Sequence, residues 1–299
     1  MNSFIKTIGF HKIKNKKETD QLIEWVLENP DKKMVVPVES KELTHIQIWK
    51  KLGEGFGISI IGELEQDNKV NVEYYFPYVE GADIVENLDF QVEKHSSKEA
   101  YSGICENTNL GVSLIFYLQN IGEFIRGNNS KDYYLLGNRV QLAGLALKGT
   151  VLLELSKDEE QTKREQASNR KRNRLLQAAK EGDMRAIESL TLEDMDTYTI
   201  ITKRAKKEDI FSIVDTYFMP YGIESDHYEI LGTIYEVKLS ENMLTKESVY
   251  LLSIECNQIH IQVAIRKDSL LGEPKVGRRL KAKIWLQGQA EIIKWEKNQ

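Results

Sequence analysis

The stretch "DTYFMPYGIESDHYEILG", Asp215 to Gly232, gathers carboxylates, a histidine and four aromatic rings. Glu224, Asp226 and His227 are side-chain types that hold a divalent cation or pass a proton. Their spacing does not support that chemistry. Glu224 and Asp226 are two residues apart and Asp226 and His227 are adjacent, whereas a helical ligand pair needs i, i+4. No second His or Cys group lies close in the chain. Tyr217, Phe218, Tyr221 and Tyr228 flank Pro220 and Gly222. That composition suits a sharp turn packed with large side chains. The expectation is an architectural corner.

A second candidate is a metal site on a sheet. His45 and His95 fall on predicted strands and would meet across a curved sheet with Glu73 or Glu106, as ligands do in paired βαβββ modules. No spacing in the sequence brings them together. "GEGFG", Gly53 to Gly57, has the glycines of a phosphate loop but leads into the apolar strand "ISIIGELE". An anion site needs the free N–H groups of a helix start there, so a strand connection is expected. Cys105 and Cys256 have no nearby base and read as small buried residues. No nucleophile elbow, zincin, Walker or Cys-x-x-Cys pattern occurs, and no cofactor is expected.

Lys163, Arg164, Arg170, Lys171, Arg172 and Arg174 place six cations in twelve residues, against only Glu165. On a helix they could follow a phosphate backbone. A barrel partner would need outward aromatics for bases to stack on. The late strands offer none. Ile259, Ile261, Val263 and Ile265 alternate with His260, Gln262, Ala264 and Arg266. Tyr250, Leu252, Ile254 and Cys256 leave Leu251, Ser253 and Glu255 on the other face. A solvated helix is the preferred reading of the basic run.

The elements that must position these groups follow from periodicity. The chain has 299 residues, 41% hydrophobic and 29% charged, which is globular composition with room for two domains. Net charge is -5, a poor starting point for a general nucleic-acid binder. No window approaches the ~20 apolar residues of a membrane span, and the start lacks a signal-peptide pattern.

Thr19 is read as the cap of a helix over "DQLIEWVLEN", with Leu22, Ile23, Val26 and Leu27 on one face. Strands follow at hairpin spacing. "THIQIW" turns Ile46 and Ile48 inward and His45, Gln47 and Lys50 to solvent. "RVQLAGLALK" and "GTVLLELS" read as a last pair. From Lys157 the chain becomes helical and polar. Gly182 and Asp183 separate one helix from "MRAIESL", and Thr191 with Asp194 resembles a capping box for a third. "LLQAAKEGDMRAIESL" resembles half an ankyrin unit, but no second copy occurs and repeat folds need several. After Asp226 come "YEILGTIYEVKLS", "SVYLLSIEC", "IHIQVAIR", "RLKAKIWLQG" and "AEIIKW", which read as five strands.

These patterns predict an α+β fold. Residues 1–156 form a mostly antiparallel sheet with helices, 157–226 a helical connector, and 227–299 a small five-stranded OB-like β-barrel.

The stretch "EDIFSIVDTYFMPYGIESDHYEILG" together with "IWLQG" resembles an uncharacterised family of roughly 300-residue proteins, a domain of unknown function from clostridial anaerobes. The likeness runs from "SFIKTIGF" to "WLQG". It implies a cytoplasmic bacterial protein and carries over no catalytic residue.

The expected function is a non-enzymatic cytoplasmic binding or scaffold protein with a protein partner and no membrane. One alternative is a metal-dependent enzyme on the first sheet. Another is RNA or single-stranded DNA binding through the basic helix.

Overall fold

Asn15 opens the first helix, α1 (Lys16–Glu28). Its side chain accepts from the Glu18 amide at 2.9 Å, and Glu18 reaches back to the Lys14 amide at 2.8 Å. This reciprocal exchange satisfies one N–H group of the first turn and the one just ahead of the cap. Thr19, expected as the cap, lies a turn inside, with its hydroxyl on the Asn15 carbonyl at 3.2 Å. The computed structural model describes residues 2–37, 44–81, 84–85, 89–94, 100–107, 112–129, 134–154, 167–168, 171–172, 174–179 and 181–294.

The first sheet is an antiparallel meander of β1 (Lys32–Pro37), β2 (Thr44–Gly53), β3 (Phe56–Leu64) and β4 (Val70–Val79). Ile46 and Ile48 are buried as the alternation predicts, but Gln47 is also buried, at 2% exposure. The second face is therefore covered as well. Helix α2 (Ile121–Asn129) packs on it, and the Gly122 amide donates to the Gln47 side-chain oxygen at 2.7 Å. The Gln47 amide nitrogen donates to Ser59 Oγ at 3.0 Å and to the Gln119 carbonyl at 2.7 Å. A buried amide with its groups satisfied can replace an apolar residue at little cost.

The second sheet is mixed. It takes β5 (Ile84–Val85), β6 (Asp89–Lys94), β7 (Tyr101–Asn107), β8 (Val112–Leu118) and β9 (Tyr134–Leu152) from the first half of the chain. To these it adds β10 (Tyr217–Pro220), β11 (His227–Glu241), β12 (Ser248–Cys256), β13 (Ile259–Arg266), β14 (Leu270–Leu271) and β15 (Arg279–Lys294). The path runs β10-β11-β12-β13-β9-β15-β8-β7-β6. Its β13–β9 and β15–β8 contacts are parallel.

β11 pairs with β15 over residues 227–233, then with β12 over 233–241. The pairings β11–β12–β13–β9–β15 therefore close into a ring. Gly232 sits at the handover, where a Cβ would stand 2.7 Å from the Glu255 carbonyl oxygen.

Two expected hairpins are single strands. "RVQLAGLALK" and "GTVLLELS" are one strand, β9; "RLKAKIWLQG" and "AEIIKW" are another, β15. They pair with each other from Arg279↔Leu152 to Lys294↔Tyr134, with bulges between Ala282 and Ile284 and between Ala290 and Ile292. Gly288 reads as a turn in sequence. In the sheet it lets β15 pass the Phe116 ring, which a Cβ would approach to 2.5 Å.

Between β9 and β10 lie α3 (Met184–Ala205) and the short α4 (Ile210–Ile213). Asp183 caps α3 by accepting from the Arg185 and Ala186 amides, with Gly182 left-handed before it. The helix runs straight through Thr191, whose hydroxyl bonds back to the Ile187 carbonyl at 2.8 Å rather than capping a new one. One hydrophobic cluster joins α1, both sheets and the segment at Ile5 and Ile8.

Candidate functional site

The corner Asp215–Gly232 is a β-hairpin of β10 and β11, with Phe218 opposite Ile230 and Pro220 opposite Tyr228. Phe218 and Tyr228 pack at 4.7 Å between centroids. The Tyr228 hydroxyl accepts from the Ile115 amide at 2.8 Å, fixing the hairpin to β8. Glu224 is exposed in the turn. Asp226 turns inward, and its Oδ2 accepts from Trp285 Nε1 at 2.7 Å. His227 Nε2 is 4.0 Å from Asp226 Oδ1, and the ring meets Phe4 edge-on at 5.5 Å. Burial raises the proton affinity of Asp226, opposed by the Trp285 hydrogen bond and by the charge of His227.

Trp285 links this corner to a chain of rings, with Phe4 also packed against it at 5.3 Å. Tyr117 packs on it edge-to-face at 5.0 Å, Phe76 on Tyr117 at 4.8 Å, and Tyr74 stacks beside Phe76 at 6.4 Å. Tyr74, Phe76, Tyr117 and Trp285 form one wall of an open cleft of ≈ 810 Å³. The opposite wall is one face of α1, from Lys16 through Asp20, Ile23 and Glu24 to Leu27, at the spacing that a helix turns to one side. Glu73 lies at the rim. Among the described lining residues three carboxylates and one ammonium thus border the aromatic wall, with the half-buried Asp226 behind it. Burial pushes Tyr74 and Tyr117 well above the ordinary phenol range. Both stay neutral at physiological pH, and their side chains hydrogen-bond to each other.

The other sequence candidates that are described lie apart from this cleft. His45 is on β2, opposite Val36 and Glu63, with its Nδ1 buried and unpartnered. His95 and the Glu106 side chain lie outside the described residues, as do Lys163, Arg164 and Arg170. Lys171 pairs with Glu193 at 2.6 Å and Arg172 with Asp194 at 2.8 Å; Arg174 is exposed. Among the described residues no three His, Cys, Asp or Glu side chains gather as a metal-holding group. "GEGFG" is the tight turn joining β2 to β3, with Gly55 left-handed. The second face of β12 and β13 is covered, since Leu251, Ser253, Gln262 and Ala264 are all buried. Cys105 and Cys256 are buried free thiols.

Sequence reasoning passed over Tyr74, Tyr117 and Trp285. The available signal was weak: Tyr74 and Phe76 share a strand face two residues apart. Their meeting with β8 and β15 depends on pairings more than 150 residues apart in sequence, such as Gln287↔Tyr117.

The chain is thus an α+β protein with one antiparallel and one larger mixed sheet, and an acidic aromatic cleft lined by a helix and by strands of both sheets. Over residues 5–288 it matches, and belongs to, the family described as "Domain of unknown function, E. rectale Gene description (DUF3881)". No curated protein and no solved structure matches it. Among the described residues no helix is long and apolar enough to cross a membrane.

Proposed function

We propose that this is a binding protein whose cleft accepts an organic cation, an ammonium or guanidinium group carried on an apolar body. One observation carries the reading: Tyr74, Phe76, Tyr117 and Trp285 line one open cleft together with Asp20 and Glu24 of α1 and Glu73 at the rim, and Lys16 is the one cation among its described lining residues. Ring faces are electron-rich and attract cations, and a carboxylate on the indole N–H strengthens that of Trp285. The apolar body would lie along Ile23, Leu27 and Val72.

The closed ring of strands supports a further proposal, an OB-like barrel entered at a different point in the chain. The support is the pairing order: three consecutive antiparallel strands, one parallel contact, and a first strand shared between both ends of the ring. The two buried free thiols favour a reducing, cytoplasmic setting.

Calorimetric titration tests the cation reading with benzyltrimethylammonium and its uncharged carbon analogue, neopentylbenzene. The ammonium is expected to bind saturably and roughly tenfold tighter than the neutral probe. Asp20→Asn with Glu24→Gln should erase most of that preference without loss of fold, because both lie on the helix surface. No saturation with the ammonium, or equal binding of the two probes, would overturn the reading.

A further inference from the structure

Helix α3 carries two features that the cleft does not explain. It packs against its own chain through Ala186 and Leu190, the buried residues of the helix. The opposite side is apolar too. A 3.6-residue repeat places Met184, Ile187, Thr191, Met195, Tyr198 and Thr202 in one stripe. Met184 is 74% exposed, Met195 62% and Tyr198 73%, with Leu192 beside them at 57%. Scattered exposed apolar residues are ordinary, but a stripe of apolar and threonine side chains along five turns is not.

The second feature is charge. Glu188, Glu193, Asp194 and Asp196 lie from the second turn of the helix to just past its middle, while Lys203 and Arg204 stand at its end with Lys206 and Lys207 directly after it. The helix dipole favours that polarity and accounts for the signs. It does not account for an apolar stripe running between the two blocks.

We propose that α3 is a self-association helix, packing antiparallel on α3 of a second copy of this chain. Antiparallel pairing sets the acidic middle of each helix, at Glu193 and Asp194, against the basic end of the other, at Lys203 and Arg204. Parallel pairing would oppose like charges along the whole length. Matching the acidic block to the basic block puts the two-fold axis beside Tyr198. Met195 of each copy then lies level with Thr202 of the other and Tyr198 meets its own copy, as an isologous contact requires, while Met184 and Ile187 fall beyond the overlap of the two helices. Lys171 and Arg172 already hold Glu193 and Asp194 within one chain at 2.6 and 2.8 Å, but these are exposed pairs and exchange partners at little cost. A contact of this length lies at the small end for specific interfaces, so the dimer is weak and concentration-dependent.

The test uses the full chain. Sedimentation velocity from about 10 to 500 µM should show a monomer passing to a dimer. Met195→Glu with Tyr198→Glu should hold it monomeric throughout, with an unchanged melting temperature, because both side chains are exposed. Geometry is read by cross-linking, since the two native thiols are buried. Under mild oxidant Tyr198→Cys should link to its own copy, the two positions lying near the axis. Met184→Cys should not, its copies being about 40 Å apart in the antiparallel pair. A monomer at the highest concentration, a dimer that survives the double glutamate variant, or linkage through Met184→Cys as readily as through Tyr198→Cys would each overturn the proposal. None of these outcomes bears on cation binding in the cleft.

Discussion

Asp226 holds the indole of Trp285 by a 2.7 Å hydrogen bond, and the Leu286 amide donates to the Asp226 carbonyl at 2.8 Å. The turn that precedes β11 is thereby fixed to β15 by side chain and backbone together. The same contact sets the aromatic wall of the cleft, since Trp285 supports Tyr117 and Tyr117 supports Phe76.

Asp226 should make stability pH-dependent in a particular sense. Burial raises its pKa above the ordinary 3.8. Between those two values the folded chain binds more protons than the unfolded one, so stability falls as pH rises through that window. Asp226→Asn keeps an oxygen for the indole N–H and removes the buried charge. Urea melts from pH 4 to pH 7 should show that decline flattened, with stability at pH 7 unchanged or higher by up to about 1 kcal/mol. Asp226→Ala leaves the indole N–H unpaired and should lower stability by about 1–3 kcal/mol.

Arg279 is only 4% exposed, and its guanidinium donates to four main-chain carbonyls: Leu153 at 3.1 Å, Val214 at 3.0 Å, Phe211 at 2.8 Å and Asp215 at 3.4 Å. It ties the end of α4 to the ring of strands. Burial lowers its pKa, yet it remains charged at neutral pH. Lysine cannot reproduce the planar fork. Arg279→Lys should cost about 2–4 kcal/mol by leaving buried carbonyls unpaired. Hydrogen exchange should speed up first at residues 211–220.

Strand positions in the second half were legible because apolar alternation is a local property: β11, β12 and β13 fall where the sequence places them. Continuity was not. Gly149 and Gly288 read as breaks, because a glycine that permits a turn and one that permits close passage look alike in a single sequence. Thr191 and Asp194 imitate a capping box, but the helix formers on both sides carry α3 through it. Gln47 was assigned to solvent because alternation reports polarity, not whether a helix from elsewhere will cover that face. The cleft was illegible for a similar reason: its walls come from α1, β4, β8 and β15.

Gly288→Ala tests the close passage directly. The added methyl would stand 2.5 Å from the Phe116 ring, which is fully buried and has no room to retreat. A loss of about 1–3 kcal/mol is expected. Phe116→Leu alone should also destabilise, by leaving a void. If the clash is with the ring, the double variant should cost less than the sum of the two, which a double-mutant cycle in urea would measure.

The two thiols report on local opening. Burial pushes both Cys105 and Cys256 up to about 12, so neither is a nucleophile in the folded chain near neutral pH. Ellman's reagent at pH 8 should find both silent until denaturant is added. They should not appear together in every variant. Cys256 Sγ donates to the Tyr217 carbonyl at 3.0 Å and the Leu231 carbonyl at 3.3 Å, so it lies under the β10–β11 hairpin. Cys105 lies on β7, with Leu114 of β8 opposite. Arg279→Lys loosens the segment that leads into β10 and should expose Cys256 at denaturant concentrations where Cys105 stays protected. Simultaneous appearance of both thiols in that variant would mean that the hairpin opens only when the whole chain does.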